Sequence, residues 1–301
     1  MNDPAPPPHL ALALWQTLWE EYRQRVIYAR QYQAMIEADG GILANDHLAF
    51  RALNLWISLP TGRINLGLAY LEPFLEFLGY QAAGDYAFPD QYLRAKHYRH
   101  PQQAAYNLPK IFMSELMVQD LPEAIATIIA ENVQPFALTP FDHLGQQPLE
   151  KQIQTLKQLL SRPWPPPKQS AVESVNRVSQ YGAWVLLHGY AVNHFTGYIN
   201  QQRSPSYPTL ERTVSGLKQR GIPMKAHIEG SVQTGLCQTA TQAVQISVPV
   251  RTDQNQPVQI LWPYAYYELA QRFPVPGSDD LFEGFLTHQA QELFKMTQPD
   301  P

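Results

Sequence analysis

The period of the apolar positions changes several times along the chain, and each change predicts an element. Residues 9–37 carry Leu10, Leu12, Leu14, Trp15, Leu18, Trp19 and Tyr22 at mixed three- and four-residue spacing, which predicts one long helix stopped at Gly40-Gly41. Residues 42–55 alternate and predict a strand. A short helix over 71–78 ends at Gly79. Residues 86–98, rich in Tyr and Phe and broken at Pro89, predict strands, as do residues 111–118. Helices are expected over 121–131 and 149–160. Arg162-Pro163-Trp164-Pro165-Pro166-Pro167-Lys168 is the clearest linker, because consecutive prolines favour an extended conformation. Beyond it come a helix over 170–181 and an apolar stretch running to His194. A helix over 209–220 is ended by Gly221, and short strands follow over 224–229, 235–239, 244–250 and 258–262. A final strand over 264–271 precedes a helix over 287–296.

The two halves repeat an order of events. In the first, His47 opens a strand, a helix closes on Gly79, and strands lead to Phe112-Met113-Ser114-Glu115-Leu116. In the second, His194 opens a strand, a helix closes on Gly221, and strands lead to Tyr266-Tyr267-Glu268-Leu269. This predicts an α+β architecture of paired βαβββ modules forming a half-open barrel, with added helices. The expected division is an N-terminal helix (1–40), a first module with a helical insert (41–161), the linker (162–168) and a second, metal-binding module (169–301). Together these are expected to make one compact catalytic unit.

Composition narrows the function classes. Of 301 residues, 45% are hydrophobic and 16% charged, a globular balance. The net charge of −4 argues against a nucleic-acid partner. Cys237 stands alone and cannot form an internal disulfide, which suits a reducing compartment. Residues 1–8 lack the basic start and apolar run of a signal peptide, and no apolar stretch reaches the ~18 residues of a membrane span. A cytoplasmic protein is the expectation.

Three residues stand out as metal ligands. On the predicted strand, Asn45, His47, Ala49 and Arg51 share one face, and Asp46, Leu48 and Phe50 the other. Four strand residues span roughly 13 Å, so a substrate with one end on a metal at His47 could place a carboxylate on Arg51, the preferred bidentate partner. Taken singly, His47 also fits a solvated strand face and His194 a core histidine. His188 competes with His194 if the strand runs on, although Gly189 should bend the chain. Glu268 lies in an aromatic run, where a buried charge needs a metal or an ion-pair partner such as an arginine. Two histidines and one carboxylate form the facial triad of non-haem Fe(II) sites, also suited to Mn(II) or Co(II). Glu115 takes the first-half position equivalent to Glu268 and reads as a relic or a hydrogen-bonding group. Ser231 and Gln238 could line a pocket or serve ordinary turn and strand bonding. His227 and Glu229 share a strand face without an evident third ligand. His97, His100 and His143 read as surface residues.

Tyr266-Tyr267-Glu268-Leu269-Ala270-Gln271-Arg272, with Phe282-Glu283-Gly284-Phe285 and Gln291-Glu292-Leu293-Phe294, resembles the C-terminal metal motif of the 4-hydroxyphenylpyruvate dioxygenase group. Asp46-His47-Leu48-Ala49-Phe50-Arg51, Phe112-Met113-Ser114-Glu115-Leu116, Asn193-His194-Phe195-Thr196 and Leu236-Cys237-Gln238-Thr239 resemble the 2-oxoadipate dioxygenase/decarboxylase family more closely. The resemblance implies a vicinal-oxygen-chelate fold, with Fe(II) on His47, His194 and Glu268 and a substrate carboxylate on Arg51. It implies a reaction in which a 2-oxo acid and O₂ become CO₂ and a 2-hydroxy acid one carbon shorter, 2-hydroxyglutarate from 2-oxoadipate. Two other readings stay open: a different metal-dependent enzyme on this fold, an isomerase or lyase, and a non-catalytic small-molecule binding protein.

Overall fold

The computed structural model describes residues 8–140, 143–275, 277 and 279–286. The helix predicted over 287–296 and the Gln291-Glu292-Leu293-Phe294 motif lie outside them. In chain order the elements are α1 (His9–Arg25), α2 (Ile27–Ala38), β1 (Asn45–Asn54), β2 (Trp56–Leu59), β3 (Gly62–Asn65), α3 (Leu68–Phe77), β4 (Gln81–Phe88), β5 (Leu93–Arg99), α4 (Gln103–Tyr106), β6 (Lys110–Met117) and α5 (Glu123–Val133). There follow α6 (Leu149–Leu159), α7 (Gln169–Asn176), α8 (Gln180–His188), β7 (Val192–Tyr198), α9 (Leu210–Gln219), β8 (Glu229–Ser231), β9 (Leu236–Ala240), β10 (Val244–Arg251), β11 (Pro257–Ala265) and β12 (Glu268–Arg272).

Eight strands form one sheet in the order β4-β5-β6-β1-β7-β12-β9-β8. Read outward from β1 and from β7, the order repeats: the histidine-bearing strand, the glutamate-bearing strand, then two more. Each half also has its helix, α3 after β1 and α9 after β7, and the hairpin β10–β11 is inserted before β12. The fold is the expected α+β, vicinal-oxygen-chelate arrangement.

Two compact units make up the chain. One comprises residues up to Leu18, Ala49–Val192 and Ile246–Trp262; the other Trp19–Leu48, Asn193–Gln245 and the residues from Pro263 on. In the first, Trp15 Nε1 donates to Tyr80 Oη at 2.9 Å, and Tyr80 Oη donates to the Pro109 carbonyl at 2.9 Å. In the second, Trp19, Tyr22 and Phe195 form an aromatic cluster, with the Phe195 centroid 5.2 Å from Trp19 and 5.0 Å from Tyr22. Phe195 alternates with His194 and Thr196 on β7, so this cluster sets which face those two present. A slip of one residue would exchange them.

Four expectations need correction. The long helix is two, because Val26 leaves helical geometry at φ −97°, ψ 86° while staying wholly buried. The apolar stretch before His194 is α8, in which every residue from Tyr181 to His188 is buried. A helix buried all round has no polar face, so periodicity cannot separate it from a buried strand. Ser179 caps α8 by accepting the Gly182 N–H at 3.1 Å. Gly189 ends it at φ +62°, where a Cβ would meet Arg162 Cα at 2.3 Å. His188 is therefore the last residue of a helix, not a strand competitor of His194. The final strand splits between β11 and β12, since Tyr266 and Tyr267 leave the ladder. The Tyr266 carbonyl accepts from Tyr22 Oη, and the Tyr267 N–H donates to Thr241 Oγ1 at 3.1 Å. In the strand expected over 224–229, Met224 makes only an isolated bridge and β8 begins at Glu229.

Candidate metal centre

The three predicted ligands converge within the second unit. β12 pairs with β7 in parallel, with Glu268 opposite Thr196, so His194, two residues earlier, shares their face. His47 comes from β1, the other neighbour of β7. His47 Nε2 lies 3.4 Å from Glu268 Oε1 and 3.4 Å from His194 Nε2, and His194 Nε2 lies 3.7 Å from Glu268 Oε2. All three residues are buried, and one atom from each falls within 4.8 Å of the others. Thr196 Oγ1 is 3.1 Å from His47 Nε2 and 3.5 Å from Glu268 Oε1.

The residue before each histidine holds that histidine's other nitrogen. Asp46 Oδ2 is 2.8 Å from His47 Nδ1, and Asn193 Oδ1 is 3.0 Å from His194 Nδ1. An acceptor on Nδ1 fixes the ring and turns Nε2 and its lone pair toward the centre. Asp46 in turn receives Arg272 Nε at 2.6 Å and Nη2 at 2.7 Å. The arginine of the glutamate-bearing strand thus neutralises Asp46, while Glu268 is left among imidazoles. Tyr266 stacks on His194 at 4.9 Å and Phe285 meets His47 edge-on at 4.8 Å. Burial opposes a charge on His47, but the hydrogen bonds and charges of Asp46 and Glu268 outweigh it and raise its pKa above the ordinary histidine value.

This donor set fits a divalent metal. Two Nε2 atoms and a carboxylate suit Fe(II), Mn(II) or Co(II), and the second nitrogen of each ring is already taken. Among the described residues this is the one group of three or more metal-ligating side chains close enough to hold an ion.

The remaining candidates divide. Gln238 is buried, opposite Ala270 on β12, and so lies on the face of Glu268 two positions along. Its Nε2 donates to Glu229 Oε2 at 3.4 Å. Ser231 pairs with Leu236, farther along the same face, and its Oγ accepts the Thr234 N–H at 3.2 Å. Glu229 is bonded by Lys225 Nζ, and burial raises its pKa; His227 is exposed. Arg51 is buried on β1 with its guanidinium carbon 4.8 Å from the Tyr181 ring and 5.1 Å from that of Trp184. His97 and His100 are buried, not surface: Tyr86 Oη lies 2.8 Å from His97 Nδ1, and His100 Nδ1 accepts the Gln102 N–H at 3.0 Å. The charged residues around them, Arg94, Lys96 and Arg99, concealed this; within β5, His97 shares the buried face of Leu93 and Ala95. Asp46, Asn193, Thr196 and Arg272 were not singled out as site residues. The one available signal was the pairing of Asp46-His47 with Asn193-His194 in corresponding strands.

A sequence model of the 2-oxoadipate dioxygenase/decarboxylase family matches residues 13–298. The chain belongs to this family. A chloroplastic 2-oxoadipate dioxygenase/decarboxylase of Arabidopsis thaliana is 26% identical over 277 residues, covering 85% of this chain and 68% of the plant protein. The hydroxyglutarate synthase of Oryza sativa, solved in complex with 2-oxoadipate, superposes with a TM-score of 0.78 at 22% identity, covering 99% of this chain and 98% of that one. A Ralstonia eutropha JMP134 protein assigned to the glyoxalase superfamily superposes with a TM-score of 0.80 at 22% identity, covering 92% and 86%. Both superpositions bear on the fold of this 2-oxoadipate dioxygenase/decarboxylase family member. Among the described residues no helix is long and apolar enough to cross a membrane.

Proposed function

We propose that this protein is an Fe(II)-dependent dioxygenase/decarboxylase that converts a 2-oxo acid of the 2-oxoadipate type, with O₂, to CO₂ and the 2-hydroxy acid one carbon shorter. The observation that carries this reading is the buried convergence of His47, His194 and Glu268 in a chain of this family. For 2-oxoadipate the product is 2-hydroxyglutarate: the original 1-carboxylate leaves as CO₂, one atom of O₂ completes the new carboxylate, and the other becomes the hydroxyl oxygen.

Fe(II), when bound, supplies chelation of the 2-oxo carboxylate and activation of O₂. The protein's own groups do the rest. His47, His194 and Glu268 would hold the metal, with the substrate bound beside them. Tyr266 and Phe285 wall two of the ligands with aromatic surface and keep water from them. Arg51 takes the distal carboxylate, its guanidinium oriented by the Tyr181 and Trp184 rings. Gln238 and Ser231 line the substrate's side of the sheet.

The test is anaerobic reconstitution with Fe(II), followed by O₂ consumption and CO₂ release with 2-oxoadipate and a panel of 2-oxo acids. Stoichiometric uptake and release are expected. Iron binding without uptake across the panel would overturn the dioxygenase reading and leave another metal-dependent reaction. No metal binding would overturn the triad itself.

A further inference from the structure

Arg272 makes more contacts than an ion pair to Asp46 requires. Its Nε and Nη2 fork onto the two Asp46 oxygens, and its Nη1 donates to the carbonyls of Phe282 and Gly284, both at 2.8 Å. The guanidinium carbon also lies 5.3 Å from the centre of the Phe285 ring. Neither the Arg272 nor the Asp46 side chain is exposed to solvent. One planar cation therefore touches both the residue that orients His47 and the backbone that carries the ring against His47. Next to Arg272, the Phe273 carbonyl accepts the Phe282 N–H at 3.0 Å, so the seating of this segment protects that amide.

We propose that Arg272 is a positioning residue of the metal centre, which couples the orientation of His47, through Asp46, to the seating of residues 282–285 and their Phe285 wall. A lysine could neutralise Asp46 but could not also reach both carbonyls, because its three donors sit on one nitrogen, whereas the guanidinium spreads five donors over a rigid plane. The geometry of the fork, and not the charge alone, performs the coupling. The metal arm of this inference rests on reading the triad as a metal site; the backbone arm does not.

Each end can be perturbed and the other read, in the full chain. Asp46→Asn removes the charge that anchors the fork but touches neither carbonyl. In the metal-free protein it is expected to speed amide hydrogen exchange at Phe282 and its neighbours by tenfold or more. Unchanged exchange there would overturn the coupling whether or not the protein binds metal. Arg272→Lys is expected to weaken Co(II) binding at least tenfold and to change the Co(II) visible absorption spectrum, with wild-type far-ultraviolet circular dichroism. Wild-type affinity and spectrum in Arg272→Lys would overturn the role of the fork. Failure of the wild-type chain to bind Co(II) would instead remove the metal reading and the metal arm with it, leaving the exchange result to decide the backbone arm. If Arg272→Lys does not fold, Arg272→Gln and the Asp46→Asn exchange experiment carry the same comparison.

Discussion

Glu115 accepts the backbone N–H of Leu68 at 2.8 Å through Oε2 and the Asn54 amide at 2.9 Å through Oε1. In β6 it holds the place that Glu268 holds in β12, next to the histidine-bearing strand of its half. Its carboxylate serves the first turn of α3, where anionic oxygens satisfy free N–H groups. Gly67 admits it: a Cβ there would stand 2.1 Å from Glu115 Oε2. Of the two readings of Glu115, hydrogen bonding is the one observed. Glu115→Ala should destabilise the fold by about 1–3 kcal/mol, the cost of leaving buried donors unmet, with metal content unchanged. Thermal unfolding and metal analysis of the same preparation check both halves.

For the ligands the expectation is the reverse. His47→Ala, His194→Ala and Glu268→Gln should each lower iron occupancy more than about tenfold, since outer-shell changes alone commonly cost 10–100-fold. Metal analysis after reconstitution and desalting is the measurement. Full occupancy in any one variant removes that residue from the site.

Arg51→Ala should keep its iron and lose dicarboxylate recognition. Removing a hydrogen-bonding cation costs about 1.5–3 kcal/mol, which corresponds to a roughly ten- to hundredfold rise in KM for 2-oxoadipate. A 2-oxo acid without a distal carboxylate should be used equally by both proteins. Unchanged kinetics with the dicarboxylate would end the proposed role.

Acid should weaken the first unit through Glu72. Lys96 Nζ and Tyr98 Oη both donate to Glu72 Oε1 at 2.8 Å. Burial opposes the Glu72 charge, but these partners outweigh it and hold its pKa below the ordinary value. A carboxyl depressed in the folded state contributes stability above its unfolded pKa, about 4.3, and that contribution is lost as pH falls through the lower folded value. Melting temperature should therefore drop across that window in the wild type and drop less steeply in Glu72→Gln.

Much of the site was legible in the chain because strand alternation is local. It put His47 and Arg51 on one face of β1 and His194 and Thr196 on one face of β7. The repeated order of events also anticipated the sheet, whose strand order repeats outward from β1 and β7. Local signals failed where burial removed their contrast. In α8 no polar face marks the helix period, and in β5 the charged neighbours Lys96 and Arg99 masked the buried His97.

Sequence by itself determined the types of the candidate ligands, the faces they occupy and the residues beside them. Tertiary structure alone decided which strands became neighbours, and so that three candidate ligands from β1, β7 and β12 meet at one point. It also decided that Arg272 pairs with Asp46, 226 residues away, and not with Glu268 four residues earlier on its own strand. Alternation fixes direction within a strand, but the energy of a buried charge depends on the partner that folding brings within hydrogen-bond reach, and no spacing along the chain encodes that distance.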